Sequence, residues 1–220
     1  MKQMGLYEAM STLRAVRRLR PDPIPVEVLK RVFTAATWAP SGANTQPWRI
    51  VAVTDPELKK PLGTLYADLW YGFVKGYEKR LEAFNPTQLA REVRVLDAGN
   101  YLADHFHEAP VIAVFCFNPK SMAITDIQLD RISVVGGGSV YPAVQNLLLA
   151  CRIEGLGCVL TTLLCQKESD VIELLDLPAG WGTAACVPIG YPVKGGHGSI
   201  TRKAVRDLVY ANRFGHEYAD

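Results

Sequence analysis

Residues 38–50 read WAPSGANTQPWRI, and no other stretch limits the fold as sharply. Pro40 stops a helix, because proline lacks a backbone donor and crowds the preceding turn. A strand-like run, RIVAVT at 49–54, begins a few residues later. The chain must therefore pass from helix to strand inside this connection. Ser41, Gly42, Ala43 and Asn44 make the turn, and glycine there lets backbone approach a bound molecule. Asn44 and Gln46 each carry a carboxamide with donors and acceptors. Such groups suit a planar heterocycle with an alternating donor–acceptor edge. An ordinary side-chain-to-backbone turn explains the same residues equally well, so the loop alone leaves both readings open.

Around this junction the periodicity is clear. Residues 6–19 are expected to form a short helix with a basic face. Pro21, Pro23 and Pro25 forbid helix, and a new one is expected from near Val26. Val28, Leu29, Val32, Phe33 and Ala36 recur at helical spacing and form its core stripe. Residues 55–84 read as an amphipathic helix interrupted by Pro86, with a second from about Gln88 to His107. PVIAVFCF at 110–117 is a continuous apolar run, expected to be a buried strand. After a loop at 118–131, Gly136, Gly137 and Gly138 lead into a buried helix with Val144, Leu147, Leu148 and Cys151 on one face. Residues 157–163 and 183–193 read as further strands. Between them lies a short helix with Ser169 as its expected N-cap, ended by Pro178 and Gly180. The tail, about 194–220, reads as extended with one short strand-like piece. Strands alternating with helices at unequal spacing, without repeats or linkers, indicate one α+β domain over 1–220. The extended tail needs a partner to cover it, so a dimer is expected.

The chain is 49% hydrophobic and 21% charged, a globular balance. Its net charge of +2 gives no basic surplus of the kind that binds nucleic acid. The N-terminus lacks the pattern of a secretory signal. The longest apolar region, 132–150, is broken by serines, glycines, Gln145 and Asn146, so no membrane span and a cytoplasmic location are expected. Cys116, Cys151, Cys158, Cys165 and Cys186 contain no C-x-x-C pair and are expected to be buried free thiols. His105 and His107 fall on different helix faces with no third ligand, so no metal is expected.

Two basic clusters stand out. Arg14, Arg17 and Arg18 would share one face of the expected helix. Guanidinium forks suit phosphate oxygens, although a solvated basic face is the competing reading. Thr201-Arg202-Lys203 matters only if it meets the first cluster in space. The triple glycine is not a dinucleotide fingerprint and reads as a tight helix entry or close packing between chains. No motif for a nucleophilic hydrolase or a phosphate-binding loop occurs.

Taken in order, these segments resemble the nitroreductase family of FMN-dependent flavoproteins over nearly the whole chain. LRAVRRLRPDPIP is similar to the family's R-R-S-V-R-x-F opening and its proline-rich turn. AATWAPSGANTQPWRIVAV matches A-x-x-A-P-S-x-x-N-x-Q-P-W almost fully. AVQNLLLACRIEGLGCVLTT resembles the central helix and the G-L-G strand, and TRKAVRDLVY the C-terminal R-K-P-L segment. The resemblance implies a central, mainly antiparallel sheet flanked by helices. It also implies a homodimer that exchanges C-terminal extensions and binds FMN at its interface. Pro40, Ser41, Gly42, Asn44 and Gln46 would then form a wall of the flavin site, with Trp48 packed behind them. Arg14, Ala15, Arg17 or Arg18, and Arg202 would hold the phosphate. Leu13 replaces the first arginine of the family's pair, and Ala15 replaces its serine, leaving only a backbone contact there. LTTLL at 160–164 resembles the T-T-P-L segment of the iodotyrosine dehalogenases, whose threonine lies near flavin N5 and can favour one-electron chemistry. Thr161, Thr162 and Leu163 are the corresponding candidates, the threonines as catalytic groups, with Leu163 in place of the proline. Two β-branched residues in a strand would also need no function.

The resemblance further implies an FMN-dependent oxidoreductase. Hydride would pass from NAD(P)H through flavin N5 to a small acceptor such as a nitroaromatic or quinone, by a ping-pong scheme. The alternatives are the flavin-fragmenting branch that forms dimethylbenzimidazole, the dehalogenating branch, and a non-catalytic FMN-binding protein. Residues 69–96, rich in aromatics, are the expected lid. Tyr71 and Lys75, at i, i+4, are the candidate substrate contacts.

Overall fold

The apolar run at 110–117 becomes the central strand β3 (Val111–Phe117), and it explains the layering of the whole chain. Val111, Ala113 and Phe115 enter one core, while Ile112, Val114 and Cys116 enter a second on the opposite face. Both faces are buried, so the strand shows no polar alternation. The computed structural model describes residues 4–218. In it β3 lies between β2 (Trp48–Val53) and β5 (Gly182–Pro192). β5 also carries β1 (Leu19–Arg20) and β4 (Gly157–Cys158). Every strand pairing among the described residues is antiparallel, and β2 is an edge.

α2 (Val26–Thr37) and α5 (Tyr141–Ile153) supply the first core, with Val32, Ala36, Val144, Leu147 and Cys151 buried. α3 (Pro56–Leu81), α4 (Pro86–His105) and α6 (Glu168–Leu174) cover the second. α1 (Leu6–Thr12) is short and packs beside α5.

Several expectations are corrected. The first helix ends at Thr12, and residues 13–18 run extended. Val16 is buried, its N–H donates to the Cys158 carbonyl at 2.9 Å, and Leu19 pairs with Pro192. Sheet pairing thus overrides the helical spacing, and Arg14, Arg17 and Arg18 do not share a helix face. Pro86 begins α4 instead of interrupting a helix. Asn85 and Gln88 form a reciprocal cap around it, at 2.9 and 3.2 Å. The strand expected at 157–163 is a ladder only at Gly157–Cys158, followed by one bridge between Thr161 and Cys186. A tight turn at Leu163–Lys167 then runs straight into α6, so Ser169 lies inside the helix and caps nothing. The tail holds a short turn at Val205–Asp207 and a single bridge from Tyr210 to Glu217 where a strand-like piece was expected. The five cysteines are free thiols, four of them buried and Cys165 half-buried. Among the described residues no helix is long and apolar enough to cross a membrane, and no group of three His, Cys, Asp or Glu is placed to hold a metal.

Candidate functional site

On the extended arm 13–18 the three arginines separate. Arg14 lines a cleft of about 240 Å³ with Ala15, Arg17, Leu148 and Leu160. Its guanidinium also holds the Ser199 carbonyl, through Nε at 3.0 Å and through Nη2. Arg17 lines this cleft and its neighbour of about 250 Å³, whose other walls include Tyr66, Trp70, Phe73, Thr161 and Leu163. Arg18 lines neither, and its guanidinium lies 4.7 Å from the centre of the Tyr101 ring. Of the two arginines left open by the sequence, Arg17 is the one placed in the clefts. Arg202 is exposed and donates to the adjacent Thr201 carbonyl at 2.9 Å. Three residues span at most about 11 Å, so Arg202 lies within that reach of Ser199, whose carbonyl Arg14 holds, and Arg202 lines neither cleft.

The two threonines differ. Thr161 is buried, exchanges backbone bonds of 2.9 and 2.8 Å with Cys186, and accepts from the Leu163 N–H at 3.3 Å. Thr162 is exposed. It stands where the aromatic-walled cleft meets a groove of about 570 Å³ bounded by Phe117, Met122, Gly137, Tyr141 and Gln166. Thr161 therefore fixes the segment, and Thr162 is the hydroxyl free to meet a ligand. Beside them Tyr66 is buried and stacks on Phe106 at 4.3 Å, and burial pushes its phenol pKa up.

The 41–46 connection is a built loop. Ala43, Asn44 and Gln46 have φ of 49°, 55° and 47°, in the left-handed region that costs a non-glycine residue about 1 kcal/mol or more. Side chains hold it there. The Gly42 N–H donates to Ser139 Oγ at 3.0 Å, and the Gln46 N–H to Ser41 Oγ at 2.9 Å. Gln46 Nε2 donates to Asn44 O and Oδ1, both at 3.2 Å. The two carboxamides thus pair with each other on an exposed rim. Trp48 packs behind them against Phe115, with ring centres 6.4 Å apart. Ser139 escaped the sequence reading; its signal was a hydroxyl directly after the triple glycine.

In the lid region α3 and α4 form a hairpin. Tyr66, Trp70 and Phe73, at i, i+4 and i+7, face the cleft. Tyr71 and Lys75 do not line it. The Tyr71 hydroxyl donates to Asp104 Oδ1 at 2.6 Å, which raises its phenol pKa, and Lys75 is exposed. Both faces of α3 offer an i, i+4 pair, and the aromatic one turns inward. Trp70 is fixed by a 2.8 Å bond from Nε1 to Asn100 Oδ1. Its ring fills the space where a Cβ on Gly99 would stand, 2.0 Å away.

The paired clefts have a cationic end at Arg14 and Arg17 and an aromatic end at Tyr66, Trp70 and Phe73. Arg17 joins them. That donor set fits a phosphorylated planar cofactor such as FMN. The 41–46 loop lines neither cleft, so one chain presents two separate walls.

A model of the nitroreductase family matches residues 12–191. Iodotyrosine deiodinase 1 of Rattus norvegicus is 30% identical over 196 residues, which cover 89% of this chain and 65% of that protein. The chain thus spans just under two thirds of that relative's length. An NADH dehydrogenase of Thermus thermophilus is 30% identical over 194 residues, covering 84% of this chain and 86% of that one. A solved structure of oxidised iodotyrosine deiodinase bound to FMN and 3-iodo-L-tyrosine superposes with a TM-score of 0.68 at 25% identity, over 96% of this chain and 100% of the other. The matched span runs through both clefts, the two threonines and the 41–46 loop, and the chain belongs to the nitroreductase family.

Proposed function

We propose that the chain reductively dehalogenates a halogenated phenol as a homodimer with FMN between its subunits. One observation carries the reading: the aromatic-walled cleft opens onto the arginine cleft at Arg17 and ends on the exposed Thr162. The likeness to iodotyrosine deiodinases in sequence and fold supports the choice of acceptor. This reading ranks above the nitroaromatic or quinone acceptor that the sequence placed first. Leu163, standing where those dehalogenases carry proline, and the Thermus relative favour the nitroaromatic or quinone reading as the second.

FMN, when bound, supplies the electrons. Arg14 and Arg17, with Arg202, neutralise its phosphate and set its position. Thr162 offers a hydroxyl to the ring edge, and the bonds of Thr161 to Cys186 and Leu163 hold that hydroxyl in place. Tyr66, Trp70 and Phe73 give an aromatic substrate a stacking wall and keep water out. Overall, two electrons and one proton enter, the aryl carbon–halogen bond breaks, a carbon–hydrogen bond forms, and halide leaves. The 41–46 loop of a second subunit would close the site. The open edge of β2 beside a 440 Å³ groove supports that dimer, as do the exposed Leu208 and Phe214 of the tail.

The test begins with anaerobic titration of the FMN-loaded protein by NADH and by NADPH, followed over the flavin band. The reduced protein is then mixed with 3-iodotyrosine, and in parallel with a nitroaromatic and a quinone. One iodide per flavin is the expected result. Reoxidation by the nitroaromatic or quinone alone would move the reading to those acceptors. Conversion of reduced FMN with oxygen into dimethylbenzimidazole would move it to the flavin-fragmenting branch. A protein that takes up no flavin would end all three.

A further inference from the structure

The tail leaves the body of the protein through Lys194-Gly195-Gly196-His197-Gly198, a run that neither the motifs nor the clefts explain. Gly195, Gly196 and Gly198 have φ of 62°, 78° and 153°, a backbone that other residues resist. Gly196 is closely packed: a Cβ there would stand 3.1 Å from the Val16 and Pro192 side chains. The turn lays the tail along the arginine-bearing arm. The Val193 N–H donates to the Arg18 carbonyl at 3.0 Å, and the Gly198 N–H to the Thr12 carbonyl at 3.1 Å. Arg14 then takes the Ser199 carbonyl.

Inside this turn the His197 ring reaches past the arm. Its Nε2 lies 2.9 Å from the Leu156 carbonyl, and neutral imidazole donates there. Leu156 is fully buried and directly precedes β4, the root of the segment that carries Thr161 and Thr162. The other ring nitrogen, Nδ1, is buried without a partner. Burial lowers the pKa of the ring, and the nearby Arg152 adds to this. Beyond Ser199, the hydrogen bonds among the described tail residues run within the tail itself, as from Arg202 to Thr201 and from Ala204 to Asp207. Among the described tail residues, His197 is thus the last whose side chain hydrogen-bonds to the body.

We propose that His197 is a positioning residue: by clamping the glycine turn onto the root of β4, it delivers Arg202 to the phosphate end of the cofactor cleft. The proposal rests on the FMN reading above. It assigns His197 no contact with cofactor or substrate. His197 sets where the tail starts, and Arg202 does the binding.

The test compares His197→Ala, His197→Gln, Arg202→Ala and the His197→Ala/Arg202→Ala double variant. The readout is dissociation of FMN from the otherwise unaltered chain, with riboflavin, which lacks the phosphate, as the control. Loss of one charge-assisted contact predicts roughly tenfold weaker FMN binding for His197→Ala and for Arg202→Ala. The double variant is expected to be no weaker than Arg202→Ala alone, because both act through one guanidinium. Riboflavin binding is expected to stay unchanged. His197→Gln keeps an amide donor for the Leu156 carbonyl and is expected to restore most of the FMN affinity. Trypsin cleavage at Arg202 and Lys203 in the cofactor-free protein is expected to quicken in His197→Ala and not in His197→Gln. Additive losses in the double variant would overturn the proposal, as would an equal loss for riboflavin or wild-type FMN affinity in His197→Ala. If the wild-type protein takes up no FMN, the FMN reading falls and the proposal with it. If Arg202→Ala weakens FMN while His197→Ala does not, only the proposal falls.

Discussion

The arm at 13–18 and the loop at 41–46 both bear candidate ligand groups, yet they are held in opposite ways. The arm is held by the sheet. Val16 bonds to Cys158, Leu19 pairs with Pro192, and the arginines project from a backbone that does not depend on them. The loop is held by the groups it would offer. Ser41, Asn44 and Gln46 bond to one another, and Ser139 ties the loop to the rest. A substitution on the arm therefore removes chemistry and leaves geometry. A substitution in the loop changes both together.

The largest expected effect tests the arm. Arg17→Ala removes a guanidinium shared by both clefts, and FMN affinity is expected to fall by roughly ten- to a hundredfold, the range for charge-assisted contacts. Arg18→Ala removes a residue stacked on Tyr101 and is expected to leave FMN affinity unchanged. Thermal stability should be close to wild type in both. Fluorescence titration of FMN checks the pair, and equal losses in the two variants would break the contrast between them.

The loop gives a smaller and mixed effect. Ser139→Ala leaves the Gly42 N–H without its acceptor, a cost of about 1–3 kcal/mol where water cannot replace it. The left-handed residues 43, 44 and 46 then lose the bond that ties them down. Stability and FMN affinity should fall together, the latter by about fivefold, less than for Arg17→Ala. Denaturant midpoints measured beside FMN titrations check this. A loss of affinity with no loss of stability would show that the loop, like the arm, is held from outside.

The same contrast explains what was legible in the sequence. The 41–46 loop was readable because its residues are its structure: small, amide and proline positions specify one turn. The arginines of the arm were recognised as a group and then placed on the wrong element. The 14, 17, 18 spacing copies a helix face, and nothing local reveals that Val16 is claimed by Cys158. β2, β3, β5 and α2 are legible to within one or two residues, because α2 carries an apolar stripe at helical spacing and each strand is a short apolar run. The 157–163 strand was overread. Its β-branched residues continue past Cys158, but the ladder to β5 does not. The spacing of Tyr71 and Lys75 carries no packing information, whereas the aromatic face at 66, 70 and 73 is set by packing on Phe106 and Gly99. Ser139 and His197 were missed because each acts through a backbone group far away in the chain.

The smallest effect reaches the loop through the floor beneath it, and it depends on pH. A Cβ on Gly42 would stand 3.4 Å from the Ala123 side chain, and Ala123 lies three residues before Asp126 in the chain. Asp126 is buried and accepts from Ser133 Oγ at 2.6 Å, the Val134 N–H at 2.9 Å and Arg131 Nη1 at 2.7 Å. These donors, Ser133 foremost, hold its carboxyl well below the usual carboxylate range. Because the folded pKa is the lower one, this contribution is complete above the unfolded value near about 4 and is lost as pH falls below it. Asp126→Asn should therefore be less stable than wild type at neutral pH, and the two stability curves should converge as pH drops below about 4. Urea midpoints between neutral and acidic pH check the convergence. The arm gives no such signature, since residues 13–18 include no carboxylate. If Asp126→Asn loosens FMN in step with Ser139→Ala, the floor and the loop are one unit. If it lowers stability and spares FMN, the loop stands on its own bonds, and the difference between arm and loop is sharper than Ser139 alone makes it.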